Sequence, residues 1–352
     1  MRRLSFVGLA GRNLRYHWRI HSGVFAGILL TTAVITGALI LGDSTRFTLR
    51  NIAVARLAGA HYACQLPNRY FEASLAHRMA EEGQGVPAAL LRLQGMALQS
   101  GAPDPLYRVN RVQVLGVDDA FWQLSGTDAP QWNAQEVIVN EHLARALHAG
   151  RGDRFALRVV KPGLMAFDAP LSPGGDAAAI RVQVKVGDIV SDNGAGRFNL
   201  NNEQRTPYNV FVPLRWLQEL VDLEGKANLL LAGETWSEGQ LQAELKKVMH
   251  LRDAGFQIRA LSDQSYLLES ERIFLDRTIA DAALTLPQAE GSLAYLVNSI
   301  SGERHSTPYS FAVADASLAQ LNDEEAIINR WTAEKLDVSM GDTITVRWFV
   351  VT

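Results

Sequence analysis

VIVNEHLARALHAGRGDRFALRV, Val137 to Val159, returns without a gap as AIINRWTAEKLDVSMGDTITVRW, Ala326 to Trp348. Asn140 falls on Asn329, Ala144 on Ala333, Leu147 on Leu336, Gly152 on Gly341, Asp153 on Asp342 and Arg158 on Arg347. Each copy spells the same local structure. An apolar strand ends at Asn, whose side-chain oxygen suits the free amides at a helix start. The helix that follows buries Leu147 or Leu336. A Gly-Asp turn then sends the chain into a second strand, because Gly permits positive φ and Asp bonds its own backbone. Two such units make an internal repeat. Asn140, Gly152, Asp153, Asn329, Gly341 and Asp342 are therefore read as structural turn and cap residues.

Outward from the repeat, β-branched enrichment or period-two alternation predicts strands at RVQVLGV (Arg111 to Val117), IRVQVKVGDIV (Ile180 to Val190), NVFVPL (Asn209 to Leu214) and NLLLA (Asn228 to Ala232). FALRVV (Phe155 to Val160) and TITVRWFVV (Thr343 to Val351) are the outgoing strands of the two copies. IRVQVKVGDIV is expected to pair with the first of them. Helices are expected at FEASLAHRMAEEG (Phe71 to Gly83), at PLRWLQELVDLEG with Pro213 in its first position, and at SEGQLQAELKKVMHLRDAG with Ser237 as N-cap. The segments 162–178 and 191–207 read as long loops, functional or mobile. The fold class is mixed α+β. The second copy has no following strand in this sequence, so the chain is expected to be a piece of a longer protein.

SGVFAGILLTTAVITGALILG, Ser22 to Gly42, carries no charge over 21 residues. At about 1.5 Å per residue such a helix spans a hydrocarbon core of roughly 30 Å. Arg2, Arg3, Arg12, Arg15 and Arg19 precede it, with no acidic residue before Asp43. The positive-inside rule therefore expects a cytoplasmic N-terminus and an extracytoplasmic bulk. The apolar run is longer than a signal-peptide core and leads into the helix-compatible GDSTRFTLRN, so an uncleaved anchor is preferred. Leu4, Val7, Gly11, Leu14 and Trp18 form one stripe at helical spacing, with Arg12, Arg15 and Arg19 on its flank. Two roles stay open for this segment: a helix lying on an anionic leaflet, or a charge cluster that only sets orientation.

The expected organisation is a cytoplasmic basic segment over 1–21, a membrane helix over 22–42 and a helical stalk over 43–60. Two extracytoplasmic subdomains, 61–232 and 233–352, follow. A hydrophobic content of 47% with 20% charged residues is globular rather than disordered. A net charge of −3 offers no basic field for nucleic acid. The single Cys64 excludes an internal disulfide or a multi-cysteine metal site. No G-x-x-x-x-G-K-[ST] loop, H-E-x-x-H or G-x-S-x-G occurs, so the chain is read as neither an ATPase, a zinc protease nor a serine hydrolase, and no cofactor is expected. Trp122, Trp216 and Trp331 are read as core packing, and Trp18 as an interface residue.

LAGRNLRYHWRI before the membrane helix, GALILGDSTRFTLRNI leaving it, VQVLGVDDAFW before the first copy, VNEHLARALHAGRGD within it, and NVFVPLRWLQELVDLEGKANLLLA together resemble the MacB/FtsX-like permeases of ABC transporters. The resemblance covers most of the chain, without the later membrane helices of that family. It implies a non-enzymatic permease subunit of a transporter or mechanotransmission complex in the cell inner membrane. It also implies a separate ABC ATPase, a homo- or heterodimer of permeases, and contact with membrane lipid. The alternative is a single-pass anchored sensor or ligand-binding module.

Overall fold

A computed structural model describes residues 6–348, apart from 67–68, 81–84, 100–106, 132, 134–135, 162–178, 193, 202, 204, 262–264, 271–274, 276, 316–320 and 323. Arg2 and Arg3, the expected loop 162–178 and the last residues of the expected C-terminal strand lie outside the described residues.

Two helices open the chain, α1 (Phe6–Tyr16) and α2 (Trp18–Ala55). The order continues β1 (Tyr62–Gln65), β2 (Phe71–Glu72), α3 (Ser74–Ala80), β3 (Ala88–Gln99), β4 (Arg108–Val117), α4 (Asp119–Leu124), β5 (Glu136–Asn140) and α5 (Glu141–Leu147). Then come β6 (Arg154–Val160), β7 (Ala179–Val190), β8 (Tyr208–Pro213), α6 (Leu214–Leu220), β9 (Lys226–Ala227) and β10 (Leu229–Ala232). The remainder is α7 (Glu238–Val248), β11 (Phe256–Ala260), β12 (Tyr266–Ser270), α8 (Arg277–Leu284), β13 (Ser292–Ser301), β14 (Ser306–Asp315), α9 (Arg330–Leu336) and β15 (Thr345–Arg347). This is the mixed helix and strand content that the sequence predicts.

α2 runs unbroken for 38 residues, with no buried residue, and is long and apolar enough to cross a membrane. Its apolar span and the expected stalk are thus one helix.

Eight strands form one sheet in the order β1-β10-β3-β4-β8-β5-β7-β6. β3 pairs with β4 along one side and, from Gly95 to Gln99, with β6 along the other. The six strands from β3 to β6 therefore close into a ring. One core fills the face where Val112, Val114, Val137, Val139, Leu157 and Val212 meet α5 and α6. The opposite face carries a second core, in which Leu115, Ile138 and Phe211 meet Phe121 and Trp122 of α4. Burial on both faces explains why β3, AALLRLQGMALQ, escapes a period-two reading. The outgoing strand β6 pairs with β7 from Arg154 to Val160, as the sequence predicts.

Three expectations need correction. Phe71 and Glu72 form a short strand with β9, and the helix starts only at Ser74. Pro213 is the last residue of β8 and the N-cap of α6 rather than its first helical residue. Trp331 is exposed, not core.

The segment after β10 begins by packing back on the first sheet. Ser237 and Gln240 form a capping box at the start of α7. Leu241, Leu245 and Val248 of α7 lie against Phe71, Leu230 and Trp236. The Trp236 indole donates to the Gly85 carbonyl at 2.9 Å.

Candidate functional site

The long apolar helix α2 does not hang from a loop; its end is socketed in the sheet. α2 ends at Ala55, and the next five residues turn the chain into β1. Ala60 N–H donates to Leu57 O at 2.9 Å and His61 N–H to Ala232 O at 2.9 Å. The turn passes through positive φ at Ala58 (46°) and Gly59 (77°). Ala58 and Ala60 are buried in the second core beside Phe121, Trp122 and Phe198. Small side chains let the backbone sink that far.

Arg56 is the hinge pin. It is 9% exposed, and its guanidinium donates to the Glu203 carbonyl. Its own carbonyl accepts from Asn199 N–H at 3.0 Å. The expected long loop 191–207 thus clasps the end of the helix. Phe198 from that loop is fully buried and packs edge-on to Phe121, ring centroids 5.5 Å apart.

α4 closes the joint from the other side. A Cβ placed on Gly59 would stand 2.1 Å from the Leu124 carbonyl oxygen, so only glycine fits. Asp118 caps α4, accepting from Ala120 N–H at 3.1 Å and from Phe121 N–H. Burial pushes its carboxyl up from the ordinary aspartate range, against the lowering effect of those amides and of His77. A cavity of about 440 Å³ opens beside the joint, lined by Gly59, His61, Ala120, Gln123, Gly233 and Thr235 among others. Sequence reasoning read Trp122 as core but did not bring these residues together. The positive φ at Gly59 has a sequence signal, a Gly at the end of a helical run.

The repeat residues form the second constellation. Asn140 Oδ1 accepts from Leu143 N–H at 3.2 Å, and Asn329 Oδ1 from Thr332 N–H at 2.8 Å. The helices stop at left-handed His148 (φ 51°) and Asp337 (φ 54°). Ala149 N–H then donates to Ala144 O at 3.0 Å and Val338 N–H to Ala333 O at 3.1 Å. Asp153 Oδ2 accepts from Gly150 N–H, and Asp342 Oδ2 from Ser339 N–H, each at 2.8 Å. Gly152 and Gly341 take φ of 90° and 96°.

The likeness reaches further than the aligned residues. β3 and β4 form an antiparallel pair, as do β13 and β14, and the outgoing strand lies on the first member of each: Ala97 faces Leu157, and Ile300 faces Val346. The second strand of each pair carries a left-handed residue, Arg111 (φ 57°) or Tyr309 (φ 49°). The core positions Leu147, Ala149, Phe155 and Leu157 reappear as Leu336, Val338, Ile344 and Val346.

One element differs. β5 is a strand because β7 and β8 flank it. No strand is assigned over 325–329, its counterpart. Ile138 is 2% exposed where Ile327 is 69%.

No protein-family model and no curated protein matches the sequence. Among solved structures, the chain is similar to the extracellular domain of the noncanonic ABC-type transporter YknZ from Gram-positive bacteria. The identity is 10% and the TM-score 0.33, over 58% of this chain and 91% of that one. It is also similar to the periplasmic region of MacB from Actinobacillus actinomycetemcomitans, at 8% identity and a TM-score of 0.34, over 63% of this chain and 85% of that one.

Proposed function

We propose that this chain belongs to the membrane subunit of an ABC-type transporter or mechanotransmission complex, where it passes the motion of a membrane helix to an extracytoplasmic domain. The observation that carries the reading is the joint at Arg56 to Ala60. A helix of 38 residues is roughly 57 Å long, well beyond a hydrocarbon core of about 30 Å. The surplus projects as a stalk whose far end is fixed by backbone hydrogen bonds to Asn199 and Ala232 and by buried alanines. A flexible linker absorbs motion; a socketed helix hands tilt or rotation to the sheet.

The arginines Arg2, Arg3, Arg12, Arg15 and Arg19 set the N-terminus in the cytoplasm. The family resemblance supports a separate ATPase and a paired permease as partners. The domain divides into 61–232 and 233–352, with α7 strapping the second part to the first. The subunit is not itself an enzyme.

Purification of the protein from its native membrane tests this. An ATPase carrying a phosphate-binding loop is expected to accompany it in stoichiometric amount. Purification without any ATPase contradicts the reading and favours the anchored binding module.

A further inference from the structure

We propose that α1 is a lipid-docking helix that lies in the plane of an anionic membrane surface, at the N-terminal end of the span. The inference rests on reading α2 as a membrane helix.

α1 and α2 meet at His17, whose φ of −100° and ψ of 24° depart from helical values with no side-chain cap, while His17 N–H still donates to Asn13 O and His21 N–H to His17 O, each at 3.0 Å. At 100° per residue, Phe6, Val7, Ala10 and Leu14 fall on one face of α1, while Arg12 and Arg15 fall on the opposite one. A charge cluster that served only to orient the chain needs no such segregation. Phe6 is 88% exposed and Leu14 63%, so nothing among the described residues covers the apolar face. Apolar surface of that kind is covered at the boundary between headgroups and acyl chains. The occupant follows from charge and position. No acidic residue precedes Asp43, so the segment is purely cationic. α1 is joined through one residue to a helix whose apolar span starts at Ser22, which holds it at interface depth. Trp18, with the Arg19 guanidinium 5.7 Å from its ring centroid, sits where interfacial tryptophans and phosphate-binding arginines are found.

The test uses the full chain in lipid nanodiscs, with Cys64→Ser as background and a nitroxide at Leu14→Cys, at Gly8→Cys on the arginine face, or at Ile35→Cys in mid-span. Oxygen and nickel-chelate accessibilities are read in phosphatidylcholine alone and with phosphatidylglycerol added. The expected result is a Leu14 label that becomes acyl-like when phosphatidylglycerol is present, while the Gly8 label stays aqueous. Arg12→Gln and Arg15→Gln are each expected to lower the docked-to-free ratio about fivefold, the effect of about 1 kcal/mol per basic residue. An aqueous Leu14 label in both lipids overturns the proposal, as does an acyl-like label indifferent to phosphatidylglycerol. A label immobilised by protein yet inaccessible to oxygen also overturns it, in favour of a protein partner. An aqueous Ile35 label overturns the membrane-span reading itself, which separates the two failures.

Discussion

Asn140 and Asn329 make the same capping hydrogen bond in two units of one chain, yet the first is sealed in the fold and the second is not. Asn140 Nδ2 also donates to Asp192 Oδ1 at 3.1 Å and to Pro207 O at 2.9 Å, and its Oδ1 accepts from Asn209 N–H at 3.1 Å. Removing it strips a cap and leaves buried polar groups without partners. Asn140→Ala is expected to cost about 3 kcal/mol or more, Asn329→Ala only about 1 kcal/mol. Urea denaturation of both variants checks this, and equal losses count against the asymmetry.

The joint predicts a second contrast between two glycines of positive φ. Gly59 has the Leu124 carbonyl against it, while Gly225 (φ +70°) has nothing within 4 Å of a Cβ. Gly225→Ala is expected to cost only the left-handed strain, about 1–2 kcal/mol. Gly59→Ala adds a backbone clash that cannot relax locally. It is expected to cost at least twice as much and to open the turn after Ala55 to protease. Limited proteolysis of detergent-solubilised protein reads this directly. Resistance equal to that of Gly225→Ala contradicts the socket.

Asp118 gives a pH prediction. Burial raises its folded-state pKa, so the native state holds this proton more tightly than the unfolded chain does. Its contribution to stability is therefore greatest below the unfolded pKa and declines as pH rises through the folded value. Asp118→Asn keeps a capping oxygen and removes the buried charge. The variant is expected to match or exceed the parent at neutral pH and to lose that advantage on acidification towards pH 4. Denaturation midpoints across that range test it, and a variant less stable at neutral pH than at pH 4, relative to the parent, contradicts the sign.

The second unit predicts a difference in local stability. β4 is flanked by β3 and β8, whereas β14 pairs with β13 alone among the described strands. Phe311 and Val313 on β14 are exposed, while Val112, Val114 and Leu115 on β4 are buried. Backbone amides of β14 are expected to exchange with deuterium far faster than those of β4. Equal protection contradicts the three-stranded description of this unit.

The repeat was legible because its signals are local: an Asn before a helix, a Leu on the inner face, a Gly-Asp turn. The long apolar helix α2 was legible for the same reason. The hairpin pairs that extend the repeat were not, since β3 is buried on both faces and has no alternation, and β13 carries Ser and Asn among its apolar residues. The joint as an assembly was not legible in the sequence, although Gly59 and Trp122 each carry a local signal. Arg56 looks like one more charge on a stalk, and only tertiary packing brings Asn199 and Glu203 to it. Trp331, expected in a core from its apolar helical neighbours, is exposed, whereas its counterpart His142 is covered by stacking on Tyr208 at 4.5 Å. In the second unit no such partner is described.

The lone cysteine offers the most direct test of the central claim, that α2 crosses the membrane and socket and sheet lie on the side away from the cytoplasm. Cys64 is free and exposed in β1, just beyond the joint, and partial burial raises its thiol pKa. In intact cells a membrane-impermeant maleimide is expected to label Cys64. It should not label Gly11→Cys in a Cys64→Ser background until the membrane is permeabilised. Labelling of Gly11→Cys but not Cys64 in intact cells contradicts the orientation. Labelling of neither until permeabilisation places the domain inside the cell, and the account of a transmitted motion across the membrane falls with it.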